Sequence, residues 1–156
     1  MPLRKRLHNP SAPSDQTTWL RIDELAEVSV SSEDAHHPVE GALIDGVGAG
    51  WRAAAPGEQS LRIHFDESRT ITRIHLIFEE AEHERVQEFA IQWSADRRRT
   101  FQPVVRQQFS FSPSGATREV EDYHVALHAA TDVELHIIPD VSHRPHTATM
   151  TRLRLR

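Results

Sequence analysis

From Val28 to Leu155 apolar side chains return at every second position in short runs, and this period of two constrains the fold more than any other feature. Val28 and Val30, then Leu61, Ile63 and Phe65, then Ile74, Leu76 and Phe78, then Phe89, Ile91 and Trp93 alternate with polar neighbours. Phe101 to Phe111 carries Val104 and Val105, and the alternation resumes at Tyr123, Val125 and Leu127, at Val133, Leu135 and Ile137, and at Leu153 and Leu155. Neighbouring side chains on a strand point to opposite faces, so each run reads as a half-buried strand with its apolar face turned inward. At least seven strands are expected. Turn-forming clusters divide them at Asp66-Glu67-Ser68, from Glu79 to Arg85, from Asp96 to Arg99, at Ser112-Pro113-Ser114-Gly115 and from Pro139 to Pro145. Only Pro38 to Ile44 has a helical texture, so the helical crossovers that parallel sheets need are missing. The expectation is an all-β, antiparallel sandwich over residues 18–156, with one short helix near 38–44. Residues 1–17 hold Pro2, Pro10 and Pro13 among polar neighbours and are expected to form a flexible arm.

Composition narrows the function classes. A chain of 156 residues that is 38% hydrophobic and 26% charged can bury one core without cross-links. Its formal charge of −5 supplies no general basic field, so neither nucleic acid nor an anionic membrane surface is an expected partner. No cysteine is present, which removes thiolate nucleophiles, cysteine-type zinc sites and disulfides. The basic start is followed by prolines rather than an apolar run, and no stretch approaches the roughly 20 apolar residues of a membrane helix. Residence in the cytoplasm is expected.

Ala42-Leu43-Ile44-Asp45-Gly46-Val47-Gly48-Ala49-Gly50-Trp51-Arg52 resembles the ALDGDPSTxW signature of discoidin, or coagulation factor 5/8 type C, domains. Val28 to Ser32 resembles the first core strand of that family, Gln59 to Phe65 and Ile71 to Leu76 the two strands after the signature, Phe89 to Phe101 its central hairpin, and Ala148 to Leu155 its closing strand. The resemblance, which takes in the family 32 carbohydrate-binding modules, implies a galactose-binding-like jelly roll whose loops at one end bind a ligand without catalysis. Glu33, Trp51 and Arg52 match positions that line the site in sugar-binding relatives, and with His37 and Glu80 on the adjoining loops they are the candidate ligand-binding residues. Glu79 or Glu80 stands where sugar-binding relatives carry a cationic contact.

Many relatives hold a structural calcium with the two Asp and the Ser/Thr of the signature plus a Glu of the last strand, a set of hard oxygen ligands. Here Asp45 alone survives, and Arg152 falls at the position of that Glu. Calcium is therefore not expected, and a pairing of Arg152 with Asp45 is. No other metal or cofactor is expected either. His36-His37 and His143-Arg144-Pro145-His146 are the densest groups among eleven histidines, but neither spacing is diagnostic of a metal.

The chain has no nucleophile elbow, phosphate loop, dinucleotide-binding glycines or HExxH helix. Glu79-Glu80-Ala81-Glu82-His83-Glu84 sets carboxylates beside a histidine, which suits either acid/base work or a solvated loop. Arg97-Arg98-Arg99 suits either an anion grip or a solvated turn. Trp51 suits either a plug or a ligand platform, and Phe109 and Phe111 either the core or the loop end. Trp93 is expected in the core. The expectation is a noncatalytic module binding a glycan or similar polar ligand, with a protein-interaction module of the same fold as the alternative.

Overall fold

A computed structural model describes residues 18–156, so the arm expected over 1–17 lies outside the described residues. Helix α1 (Ile22–Leu25) leads into β1 (Ala26–Val30), and helix α2 (Glu40–Leu43) precedes β2 (Trp51–Arg52). There follow β3 (Gln59–Glu79), β4 (Arg85–Ser94), β5 (Gln102–Phe111), β6 (Arg118–Ile138), β7 (Thr149–Met150) and β8 (Arg152–Leu155). Every strand pairing is antiparallel.

Two long strands build both layers. β3 and β6 each run for 21 residues, and their register shifts three times between His64 and Arg73. Such irregularities bend a ladder sharply. Before the bend, Leu61 and Ile63 face Leu135 and Val133 in a sheet of order β1-β3-β6-β4-β5. After it, Ile74 and Leu76 lie between Tyr123 and Glu121 of β6 and Leu155 and Leu153 of β8. The inward residues of both arms, from Leu61 and Phe65 to Leu76 and Phe78, are at most 2% exposed. Across the sandwich Phe78 meets Phe89 of β4 with ring centroids 5.2 Å apart.

The expected break at Asp66-Glu67-Ser68 is thus not a break, and the runs from Tyr123 to Leu127 and from Val133 to Ile137 belong to one strand. A bulge turns the chain without giving up the ladder, so turn-forming residues there mark a corner. The corner is braced from the β4–β5 turn. Arg97, at φ 60°, donates from Nη1 to the Phe65 carbonyl at 2.7 Å, and Arg98 Nε lies 3.5 Å from the buried Asp132 carboxylate, which also meets His64 Nδ1 at 2.8 Å. The basic turn is therefore partly structural. The expected short helix is present as α2, whereas α1, β2 and β7 are too short to leave a period. Phe111 is buried and Phe109 packs partly against it at 4.9 Å, but Trp93 is only partly buried.

The β2–β7 pair depends on close backbone approach. Gly50 has φ +103°, and a Cβ there would stand 2.8 Å from the Met150 carbonyl. Gly50→Ala is expected to lower unfolding free energy by about 2 kcal/mol or more, from left-handed strain plus the clash. Urea denaturation checks this, and an unchanged midpoint would refute it.

Candidate functional site

Val30, Glu79, Arg85 and Ile138 bring four strand ends together at one end of the sandwich, where β2 and β7 lie across the loops. Alternation sends Trp51 inward and Arg52 outward. Trp51 is 2% exposed and donates from Nε1 to the Ser32 carbonyl at 3.0 Å, so it is a plug that anchors the loop after β1. Arg52 is clamped at its root. Its N–H donates to the His37 carbonyl at 3.1 Å, and its carbonyl accepts from Asp34 N at 2.8 Å.

Above this pair lie two adjoining hollows. One, of about 340 Å³, is lined by Arg52, Glu79, Glu80, Glu82, His83, His146 and Thr149. The other, of about 190 Å³, shares Arg52, Glu79 and Thr149 and adds His37 and an edge of Trp51. Four of the five candidate residues, His37, Trp51, Arg52 and Glu80, thus converge on one groove. Glu33 does not line it: its Oε2 accepts the Val39 N–H at 2.9 Å and braces the entry to α2. Trp51 offers no open face for stacking.

Glu80 has a second allegiance. Arg85 is fully buried, and its Nε donates to Glu80 Oε1 at 2.8 Å while its Nη1 reaches Gln87 Oε1 at 3.0 Å and the Pro139 carbonyl at 2.8 Å. Phe111 lies 4.8 Å beneath the guanidinium. A buried cation without a carboxylate would be strongly destabilising, so Glu80 is held in place by what lies below it. Burial works against the Glu80 charge, but the Arg85 hydrogen bond and the loop N–H groups outweigh it and hold the carboxyl below its ordinary range. It is a fixed acceptor.

Deeper still, Gln87 Nε2 donates to Glu119 Oε1 at 3.4 Å. Burial, with the neighbouring Glu121 carboxyl, pushes Glu119 from 4.5 up to about 8. The folded state then keeps a proton that the unfolded chain releases, so this stabilisation is complete below about 4.5 and is lost as the pH climbs toward 8. Unfolding free energy is expected to fall between about pH 5 and about pH 8, and Glu119→Gln to flatten that slope. Urea titrations at a series of pH values check this; an equal slope in both proteins would refute it.

Sequence reading missed the pairing of His83 with His146, whose ring centroids are 5.0 Å apart at 40°. Each lay in a cluster weighed for other chemistry, and nothing in the sequence brings the 80–84 and 139–148 loops together. Asp140, whose side chain is fully buried, fixes the second loop by accepting from Arg144 Nε at 2.7 Å and Ser142 N at 2.9 Å, and it lies 3.6 Å from His146 Nε2. Among the described residues no group of three or more His, Asp and Glu is arranged to hold a metal.

The calcium position implied by the resemblance carries a guanidinium. Arg154, on β8 and 5% exposed, donates from Nη1 to the Ala42 carbonyl at 2.7 Å and from Nη2 to Asp45 Oδ1 at 2.5 Å. Arg152, expected to be the partner, is 4.0 Å away. The Arg154 hydrogen bond and charge hold the Asp45 carboxyl below its ordinary range. Carbonyl and carboxylate are both committed to a cation of the chain itself, so these donors do not fit a calcium ion. Calcium is expected to leave the thermal midpoint unchanged, and Arg154→Ala to cost about 2 kcal/mol. Differential scanning fluorimetry checks both, and a rise in midpoint with calcium would refute the first.

Larger hollows lie elsewhere. One of about 450 Å³ runs between Trp19 and Arg154 beside the start of the described chain, and its charges, Arg21 with Asp23 and Arg154 with Asp45, satisfy each other. Another, of about 500 Å³, is a trough over β4 and β5 lined by Val104, Val105 and Pro103, where Arg106 is paired with Glu88 and Glu134 with Arg62. Among the described residues, neither gathers unpaired charges.

In sequence the chain matches no protein-family model and no curated protein. In structure it is similar to a family 32 carbohydrate-binding module of C. perfringens NanJ solved with galactose, at 16% identity and a TM-score of 0.64, over 88% of this chain and 97% of that one. It is also similar to a C. perfringens family 32 module solved with GalNAc-β-1,3-galactose, at 17% identity and a TM-score of 0.59, over 88% and 99%. The family 32 module of AlyQ, solved with 4,5-unsaturated mannuronic acid, matches at 17% identity and a TM-score of 0.61, over 85% and 95%. The fold is therefore the galactose-binding-like jelly roll of the discoidin type. Within that class these neighbours are carbohydrate-binding modules that share the whole sandwich with this chain.

Proposed function

We propose that this chain is a noncatalytic carbohydrate-binding module whose ligand docks in the groove between the 80–84 and 139–148 loops. One observation carries the reading: at the loop end of this fold, a concave polar hollow brings Arg52, Glu79, Thr149 and the facing imidazoles of His83 and His146 around a single space. Sugars need such a mixture, with flat rings to lie against and directional donors and acceptors at the rim. The sugars bound by the structural neighbours support it.

The same geometry speaks against proton-transfer chemistry. Glu80, the partly buried carboxylate of the 80–84 loop, is locked ionised by Arg85 rather than poised near neutrality. For a protein partner the support is weaker. The large apolar side chains exposed among the described residues are Val47 and Val120, on separate elements, where a docking face would need a contiguous patch.

A glycan array followed by calorimetry on the best ligands tests the reading. Binding is expected, and His83→Ala or His146→Ala is expected to weaken it roughly tenfold by removing one of the two rings at the groove. Binding to no glycan would overturn it.

A further inference from the structure

We infer that the groove selects acidic glycans, with the Arg52 guanidinium gripping an anionic substituent of the sugar; this rests on the carbohydrate-binding reading above. The pairing of the charges that line the groove supports it. Glu80 is paired with Arg85 at 2.8 Å, Glu79 with Arg118 at 3.4 Å, and Glu82 lies 4.0 Å from His83. His146 is 3.6 Å from Asp140, and His37 is 4.0 Å from Asp34. Glu80 and Glu79 are thus answered by arginines, Glu82 meets only an imidazole, and Arg52 is the arginine of the groove that no carboxylate answers. Among the described residues Arg52 has no carboxylate within 4.0 Å, and its guanidinium makes no hydrogen bond.

That side chain springs from a fixed backbone. Arg52 sits on β2 against Thr149, and its backbone is bonded on one side to His37 and Asp34. Trp51 beside it is sealed into the loop by its own hydrogen bond. Arg52 lines both hollows, and a guanidinium offers a planar fork of donors that matches the two oxygens of a carboxylate as a lysine does not. Glu79 and Glu80 repel such a ligand less than free carboxylates would, because each has its own arginine. An acidic sugar supplies the anion that Arg52 lacks, through a uronate carboxylate or a sulfate ester of the same charge.

The experiment compares neutral galactan, oligogalacturonate and a sulfated galactan by calorimetry at one low and one high salt concentration, on wild type, Arg52→Lys and Arg52→Gln. At least one acidic chain is expected to bind roughly tenfold more tightly than the neutral one, with the preference shrinking in salt. The ratio is expected to fall to about one in Arg52→Gln and to an intermediate value in Arg52→Lys. Preference for the uronide chain assigns a carboxylate and preference for the sulfated chain a sulfate ester, and either supports the site. The Arg52 side chain is exposed, so thermal unfolding of both variants should match wild type. Neutral galactan bound as tightly as either acidic chain, or an acid preference that survives in Arg52→Gln, would overturn the inference while leaving a sugar-binding module in place. Binding to none of the three chains, nor to any glycan of the array, would remove the underlying reading together with the inference.

Discussion

The pairing of β3 with β6 is the constraint on which the rest depends. These two strands stay hydrogen-bonded to one another while passing from one sheet into the other, so the corner between His64 and Arg73 sets the separation and tilt of both layers. Every other strand is added to this folded ribbon: β1, β4 and β5 to one arm, β8 to the other. The loop end follows from it as well. Because both arms return to the same end, Glu79 and Ile138 finish beside one another, and the loops that leave them meet over β2 and β7.

Much of this was legible because burial imposes a period. Leu61, Ile63 and Phe65, or Phe89 and Ile91, alternate because one face of each strand meets the core, and the alternation survives in the sequence without any partner being known. The corner was misread because Asp66-Glu67-Ser68 has the composition of a turn, and composition does not distinguish a ladder that bends from one that stops. The two-residue strands β2 and β7 carry no period at all. Their pairing comes from Gly41 and Gly50, which let three backbones approach, and no local rule joins residues 51 and 150.

The groove was half legible for a related reason. Arg52 could be placed by likeness to the signature, Glu80 only as a departure from the cationic contact of relatives, and His37 only as a neighbour on the loop after β1. Glu33, expected at the ligand by likeness, braces the entry to α2 through Val39, and Trp51, left open between plug and platform, is the plug, bonded to Ser32. His83, His146 and the buried Arg85 were invisible because their roles arise from contacts between segments distant in the chain. The recurrent device is an arginine fastened to backbone carbonyls: Arg85 on Pro139, Arg97 on Phe65, Arg154 on Ala42. A planar donor with several N–H groups can collect carbonyls that strands and loops leave unpaired, as no lysine does so well.

Arg154 shows what this device changes. A loop tied down by a free ion is ordered only as far as the ion is present, so its order varies with the surrounding solution and can be withdrawn by a chelator. The tie from Arg154 to Asp45 and Ala42 travels with the polypeptide and has no dissociation constant to be outrun by dilution. The segment leading to Trp51 and Arg52 is therefore set once, when the chain folds. Its shape is inherited by every molecule alike, whether the medium around it is rich in divalent cations or stripped of them.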